Sequence, residues 1–154
     1  MVLIMKRAII MIGIQGSGKS TFCQKFLPDV YRVNLDTLKT RSNEKRMIEQ
    51  LHTEGCDYVV DNTNPTKDDR ARYIPEAKKE GYRVIGYFMQ SLLRECILRN
   101  EARQGRDRVP AKAIAMTSNK LEMPSLAEGF DELYYVANDG QMMTVSEWRE
   151  ENEL

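Results

Sequence analysis

Gly13-Ile14-Gln15-Gly16-Ser17-Gly18-Lys19-Ser20 is the stretch from which the fold of this chain is read. The eight residues satisfy the pattern G-x-x-x-x-G-K-[ST] at every position. Glycines let the backbone turn with its N–H groups facing inward, at dihedrals that a side chain would forbid. A helix that starts where the loop ends adds a fixed partial positive charge for phosphates. Lys19 supplies a mobile ammonium that reaches β- and γ-phosphates, and Ser20 supplies a hydroxyl for Mg²⁺. Gly13, Gln15, Gly16, Ser17, Gly18, Lys19, Ser20 and Thr21 are therefore expected to hold ATP, with Ser20 on the metal. The flanks agree with this reading. Residues 8–12 are a continuous apolar run that suits a strand buried on both faces. Residues 19–26 carry Phe22, Cys23 and Phe26 at helical spacing and end before Pro28.

Working outward, strand-like runs at 31–35, 58–60, 83–89 and 133–136 alternate with helical patterns. Met47, Ile48 and Leu51 recur at helical intervals over 43–54, and Gly55 supplies a stop. A charged helix over 66–80 is closed by Gly81. Ser91 is expected to cap a helix running to about 103, and Pro110 to open one running to about 123. Strands alternating with helices imply one three-layer α/β domain over 1–154, a P-loop NTPase or kinase fold. Its parallel five-stranded sheet is covered by helices on both faces. The segment after Gly140, with the only tryptophan, Trp148, is expected to be terminal packing.

The bulk numbers set limits. At 154 residues the chain has the length of one domain, and such a chain buries roughly 68–70% of its unfolded surface without needing a staple. Apolar residues make up 42% and charged residues 30%, and the formal net charge is zero. A globally basic nucleic-acid binder is thus excluded, whereas a local basic groove is not. Cys23, Cys56 and Cys96 are far apart and have no metal-ligand spacing, as expected of reduced thiols in a cytoplasmic protein. Residues 1–5 are apolar but are followed by Lys6 and Arg7, and read as a lead-in to the first strand rather than a signal peptide.

Acids follow two of the expected strands. In open α/β sheets ligands bind at the carboxyl ends of strands. Asp36 and Asp61 should therefore face the phosphate loop. A hydroxyl acceptor is a poor nucleophile until a positioned base takes its proton. Asp36 is the expected base, although an aspartate here also suits a helix cap. Asp61 can hold Mg²⁺ or meet the acceptor, or serve as a turn residue before Pro65. Arg99, Arg103, Arg106, Arg108 and Lys112 form a basic segment able to fold over a triphosphate. Arginine suits this task because its planar fork pairs with phosphate oxygens. Arg103 is the expected catalytic cation, with Arg106 and Arg108 behind it. Basic residues also favour helix C-termini for ordinary reasons.

With these residues in view, the chain resembles the kinase domain of the 5′-hydroxyl polynucleotide kinases. These include the bacteriophage enzymes and the kinase half of the mammalian polynucleotide kinase 3′-phosphatase. The resemblance rests on residues 13–21, Asn34-Leu35-Asp36-Thr37-Leu38, Asp61-Asn62-Thr63-Asn64-Pro65, Arg70-Ala71-Arg72-Tyr73, Arg99-Asn100, Val109-Pro110 and Pro124-Ser125-Leu126-Ala127-Glu128-Gly129-Phe130. It implies an ATP- and Mg²⁺-dependent kinase whose partner is a 5′-hydroxyl end of DNA or RNA. By position it implies Lys19 and Ser20 at the phosphates and metal, Asp36 as general base and Arg103 at the lid. It also puts Lys39, Arg70 and either Asp61 or Asn62 on the acceptor side. Leu35 departs from the family, which usually has arginine before the catalytic acid. Two other readings stand beside this one: a small-molecule kinase of the same build, acting on a nucleoside, antibiotic or sugar, and a non-catalytic nucleotide-binding module.

Overall fold

A computed structural model describes residues 5–105 and 108–149. Its strands are Arg7–Ile12 (β1), Tyr31–Val33 (β2), Tyr58–Val60 (β3), Arg83–Met89 (β4), Glu132–Asn138 (β5) and Met143–Glu147 (β6). Its helices are Lys19–Phe26 (α1), Leu35–Leu38 (α2), Arg41–Glu54 (α3), Lys67–Ala71 (α4), Ile74–Lys79 (α5), Leu93–Glu101 (α6) and Ala111–Lys120 (α7). The strands form one sheet in the order β2-β3-β1-β4-β5-β6. The first five are parallel, and β6 runs antiparallel to β5.

β1 sits in the middle because its residues can be buried on both sides. Successive side chains of a strand point to opposite faces. Accordingly Ala8, Ile10 and Ile12 pack with Val33, Leu51 and Ile74 on one face. Ile9 and Met11 pack with Phe22, Val59 and Val136 on the other. Each large apolar side chain buried this way contributes about 1.5–3 kcal/mol. A third cluster, Ile14, Cys96 and Ile114, seats the phosphate loop against α6 and α7. Strands are added on both sides of β1, so the crevice at their carboxyl ends opens beside it.

Three expectations change. The strand expected over 31–35 ends at Val33, because the side chain of Asn34 accepts the Thr37 N–H at 3.2 Å and caps α2. The cap is therefore Asn34, and Asp36 lies inside the helix. The helix expected over 66–80 is two helices, α4 and α5. Pro75 lacks the N–H that would continue α4, and its ring would meet the carbonyl four residues back. The sheet has a sixth strand, because the segment after Gly140 returns along β5. Trp148 follows it, its ring packing edge-on against Phe88 and its backbone N–H bonding the Leu133 carbonyl at 3.0 Å. No helix among the described residues is long and apolar enough to cross a membrane.

Candidate functional site

The phosphate loop leaves β1 at Gly13, whose N–H bonds the Thr63 carbonyl at 3.0 Å. Its outer carbonyls are tied down. Arg99 donates to Gly16 O at 3.0 Å and to Asn138 O at 3.0 Å. The Asn138 amide donates to Ser17 O at 2.9 Å. Holding the carbonyls outward turns the N–H groups of the loop toward its hollow, where an anion is received. Ser91 is not the cap of α6. Its hydroxyl donates to Met89 O at 2.8 Å and accepts the Ile14 N–H at 3.1 Å, so it braces the loop instead. Gln15 donates to the Thr117 hydroxyl of α7 at 3.1 Å. Ser17 is fully buried, and Thr21 is exposed.

Lys19 lies back across the loop, donating to Gly13 O at 2.9 Å and Ile14 O at 3.0 Å. Burial lowers its ammonium to about 8; the Asp61 carboxylate opposes the shift and the Arg103 guanidinium adds to it. Arg103 is therefore close enough for its charge to act on Lys19. Arg106 lies outside the described residues. Arg108 is among them and is exposed.

Asp61 follows β3 directly and its side chain is almost fully buried. Its Oδ2 accepts the Ser20 hydroxyl at 3.0 Å and Arg32 Nε at 2.6 Å. The Arg32 fork reaches Ser20 Oγ as well, at 3.1 Å. One hydroxyl and one carboxylate are hard oxygen donors of the kind Mg²⁺ accepts beside phosphates and water. That a guanidinium sits on both shows that the pair holds positive charge, so the two residues fit the metal.

Asn62, the next residue, is built into the scaffold. Its Oδ1 accepts the Leu35 N–H at 2.9 Å. Its Nδ2 donates to Glu44 Oε2 at 3.0 Å and to the Tyr73 hydroxyl at 3.3 Å. Glu44 is buried and also accepts from Arg41 and Tyr73, both at 2.9 Å. This network pins the start of α2 to the end of β3. Asp36 lies in the first turn of this helix, with its side chain exposed. Lys39 ends α2 at φ 76° and ψ −39°, a backbone conformation that costs a non-glycine residue about 1–3 kcal/mol. Its side chain is exposed on the same corner.

Arg70 is not at the acceptor side. It is fully buried and donates to Glu128, to Asn64 O at 2.9 Å and to Glu122 O at 3.1 Å. A guanidinium with no exposed surface does not meet a ligand as the chain stands. Sequence reasoning passed over Arg32, Asn138 and the Glu44–Tyr73 pair. Asn138 could have been found as the polar residue at the carboxyl end of β5; the others carry no local signal.

The fold and the loop define a P-loop kinase domain. A family model described as an AAA domain matches residues 9–124, and the chain belongs to that family. It is 32% identical over 128 residues to a bifunctional polynucleotide phosphatase/kinase of Schizosaccharomyces pombe, covering 79% of this chain and 31% of that protein. It is 39% identical over 79 residues to a putative bifunctional polynucleotide phosphatase/kinase of Acanthamoeba polyphaga mimivirus, covering 50% of this chain and 19% of that protein. The chain thus spans a third or less of these relatives, which bear out the resemblance to polynucleotide kinases. Among solved structures, Chaetomium thermophilum Kti12 in complex with ADP-AlF3 superposes with a TM-score of 0.62 at 17% identity, covering 86% of this chain and 89% of that one.

Proposed function

We propose that this kinase domain transfers the γ-phosphoryl group of ATP to the 5′-hydroxyl end of a nucleic acid. One observation carries the reading. Ser20 of the phosphate loop is bonded to Asp61, and the neighbouring Asn62 is bonded to Leu35, one residue before Asp36. These contacts tie the turn that carries Asp36 to the phosphate loop, which supports reading its exposed carboxylate as the base that faces the acceptor.

Each residue then has a task. The loop amides cradle the phosphates. Lys19 leaves Gly13 O and Ile14 O for the β- and γ-oxygens and regains its proton fully beside them. Ser20 and Asp61 would hold Mg²⁺, which when bound offsets charge on the phosphates. Asp36 takes the proton of the 5′-hydroxyl as its oxygen attacks phosphorus, and the bond from phosphorus to the ADP oxygen breaks. Arg103 meets the charge on the transferring group. Lys39 faces a phosphate of the acceptor strand.

The names of the two relatives support the polynucleotide reading. The test is to incubate the protein with γ-labelled ATP, Mg²⁺ and 5′-hydroxyl DNA and RNA oligonucleotides, beside nucleosides and sugars. Labelled oligonucleotide ends are expected. Asp36→Asn should lower the rate by about 10²–10⁴-fold, the worth of a general base, without changing the fold. Label on small hydroxyl compounds alone would replace the acceptor with a small molecule. No label on any acceptor would return the chain to a nucleotide-binding module.

A further inference from the structure

Arg32 has no part in the reaction just described, yet its Nε makes one of the shortest hydrogen bonds at the centre of the site, 2.6 Å to Asp61. It lies in edge strand β2, opposite Val59 of β3. The strand alternation sends Val33 into one core face and Arg32 toward the other, where α1 lies. There its Nε bonds Asp61 Oδ2 at 2.6 Å, and its NH2 bonds Ser20 Oγ at 3.1 Å. These are the two residues read above as the seat of the metal. Because Ser20 donates its hydroxyl proton to Asp61, the lone pairs of Oγ remain for a cation, and the guanidinium takes one of them.

We propose that Arg32 is a positioning residue that stands in for the metal. It neutralises buried Asp61 when no nucleotide is bound and yields Ser20 and Asp61 to the divalent cation that arrives with one. This rests on the reading of Ser20 and Asp61 as the metal's ligands. The reasoning is electrostatic. An almost fully buried carboxylate needs a positive partner, and leaving it alone is costly. Two cations seated on the same hydroxyl and the same carboxylate oxygen repel each other, and salt screens that repulsion little at a partly buried site. The guanidinium itself is only partly buried, at 42% exposure of its side chain, so it can leave without opening the core. A groove of about 150 Å³ lined by Cys23, Leu27, Pro28 and Val59 runs alongside and gives the displaced side chain a place to lie. Arginine fits the stand-in role better than lysine, because its fork bridges both oxygens at once.

The consequence is that metal binding competes with Arg32. The test titrates Mn²⁺ into the protein–ADP complex and follows free Mn²⁺ by electron paramagnetic resonance. An exchange of one partly exposed ion pair corresponds to about two- to fivefold in affinity. Arg32→Gln should therefore bind Mn²⁺ about two- to fivefold more tightly than the natural chain. Arg32→Lys, which keeps charge but cannot bridge, should fall between them. In the natural chain, the Arg32 Nε–H resonance should move when Mg²⁺ is added to the ADP complex, and stay in place with ADP alone. That signal needs no variant, so the idea remains testable if Arg32→Gln fails to fold. Equal or weaker Mn²⁺ binding in Arg32→Gln, or an unmoved resonance, overturns the stand-in role while Asp61→Asn and Ser20→Ala still abolish Mn²⁺ binding. If Mn²⁺ binding is indifferent to those two changes as well, the metal seat itself is wrong and the stand-in role goes with it.

Discussion

Arg70 grips Glu128 through two guanidinium nitrogens, at 2.8 and 3.2 Å, with the arginine side chain fully buried and the glutamate one-tenth exposed. The same guanidinium holds Asn64 O, and the same glutamate caps its own turn by accepting the Ser125 N–H at 2.9 Å. One ion pair therefore locks together the Asp61–Pro65 segment and the Pro124–Phe130 segment, two of those that carry the family resemblance.

Removing one partner of a buried pair leaves the other charge uncompensated, which costs about 3–5 kcal/mol. Arg70→Ala should lower stability by that amount in urea unfolding. The double change Arg70→Met with Glu128→Leu should recover much of the loss. Unaltered stability together with lost oligonucleotide binding would return Arg70 to the acceptor side.

Gly16 and Gly81 offer a paired measurement. Their φ angles are nearly the same, 81° and 83°. A Cβ on Gly16 would stand 2.3 Å from the Cys96 carbonyl oxygen, whereas one on Gly81 would meet nothing within 4 Å. Alanine at either position carries the backbone cost of a left-handed conformation, about 1–2 kcal/mol. Gly16→Ala adds a clash with backbone that cannot rotate away. Calorimetry should show Gly16→Ala to be the more destabilised of the two, and only that variant should lose ADP binding.

What could be read in advance follows from how local each signal is. The phosphate loop was legible because its geometry demands glycine at set positions, and β1 because burial on both faces demands an unbroken apolar run. The fate of Arg70 was not, because its partner lies 58 residues away. Ser91 suits a helix cap by its local sequence, but the Ile14 N–H that it accepts is 77 residues distant. β6 escaped notice because most of its residues are exposed, so its pattern of side chains carries no core face. Pro75 was visible and should have split the helix. Asp61 does follow a strand end, whereas Asp36 lies inside α2 because its strand stops at Val33, a boundary set by the Asn34 cap.

Lys19 makes nucleotide binding depend on pH. Its ammonium titrates near 8 in the free protein, below the ordinary 10.5, chiefly through burial. Phosphate oxygens favour the charged form, so binding raises this value. Between the free and bound values, ADP binding takes up a proton, and affinity falls as pH rises above about 8. Stability of the free protein moves the other way. The folded chain binds fewer protons than the unfolded one between about 8 and 10.5, so this group's destabilising effect is relieved as pH rises. Titration calorimetry at pH 8.5 in buffers of different ionisation enthalpy should show proton uptake that is absent in Lys19→Met. Equal heats in all buffers would mean that Lys19 is already fully charged before the nucleotide arrives.

Asn62 separates placement of the base from binding of the nucleotide. Its Oδ1 holds the Leu35 N–H and its Nδ2 holds Glu44 and the Tyr73 hydroxyl, partners that all lie outside the phosphate loop. Asn62→Ala frees the first turn of α2, and a shift of 1 Å in a reacting group can cost about 10²-fold in rate. The turnover number should fall on that order while the affinity for ADP stays unchanged. Asn62→Asp is harsher on stability. It keeps an acceptor for Leu35 but sets a second carboxylate against Glu44, and like charges raise the pair's proton affinity in the folded state. Stability of Asn62→Asp should therefore decline as pH rises through the carboxylate range, where Asn62→Ala shows no such slope. If both variants keep the natural turnover number, α2 is held by something other than this network. The base would then be placed by contacts that lie elsewhere in the crevice.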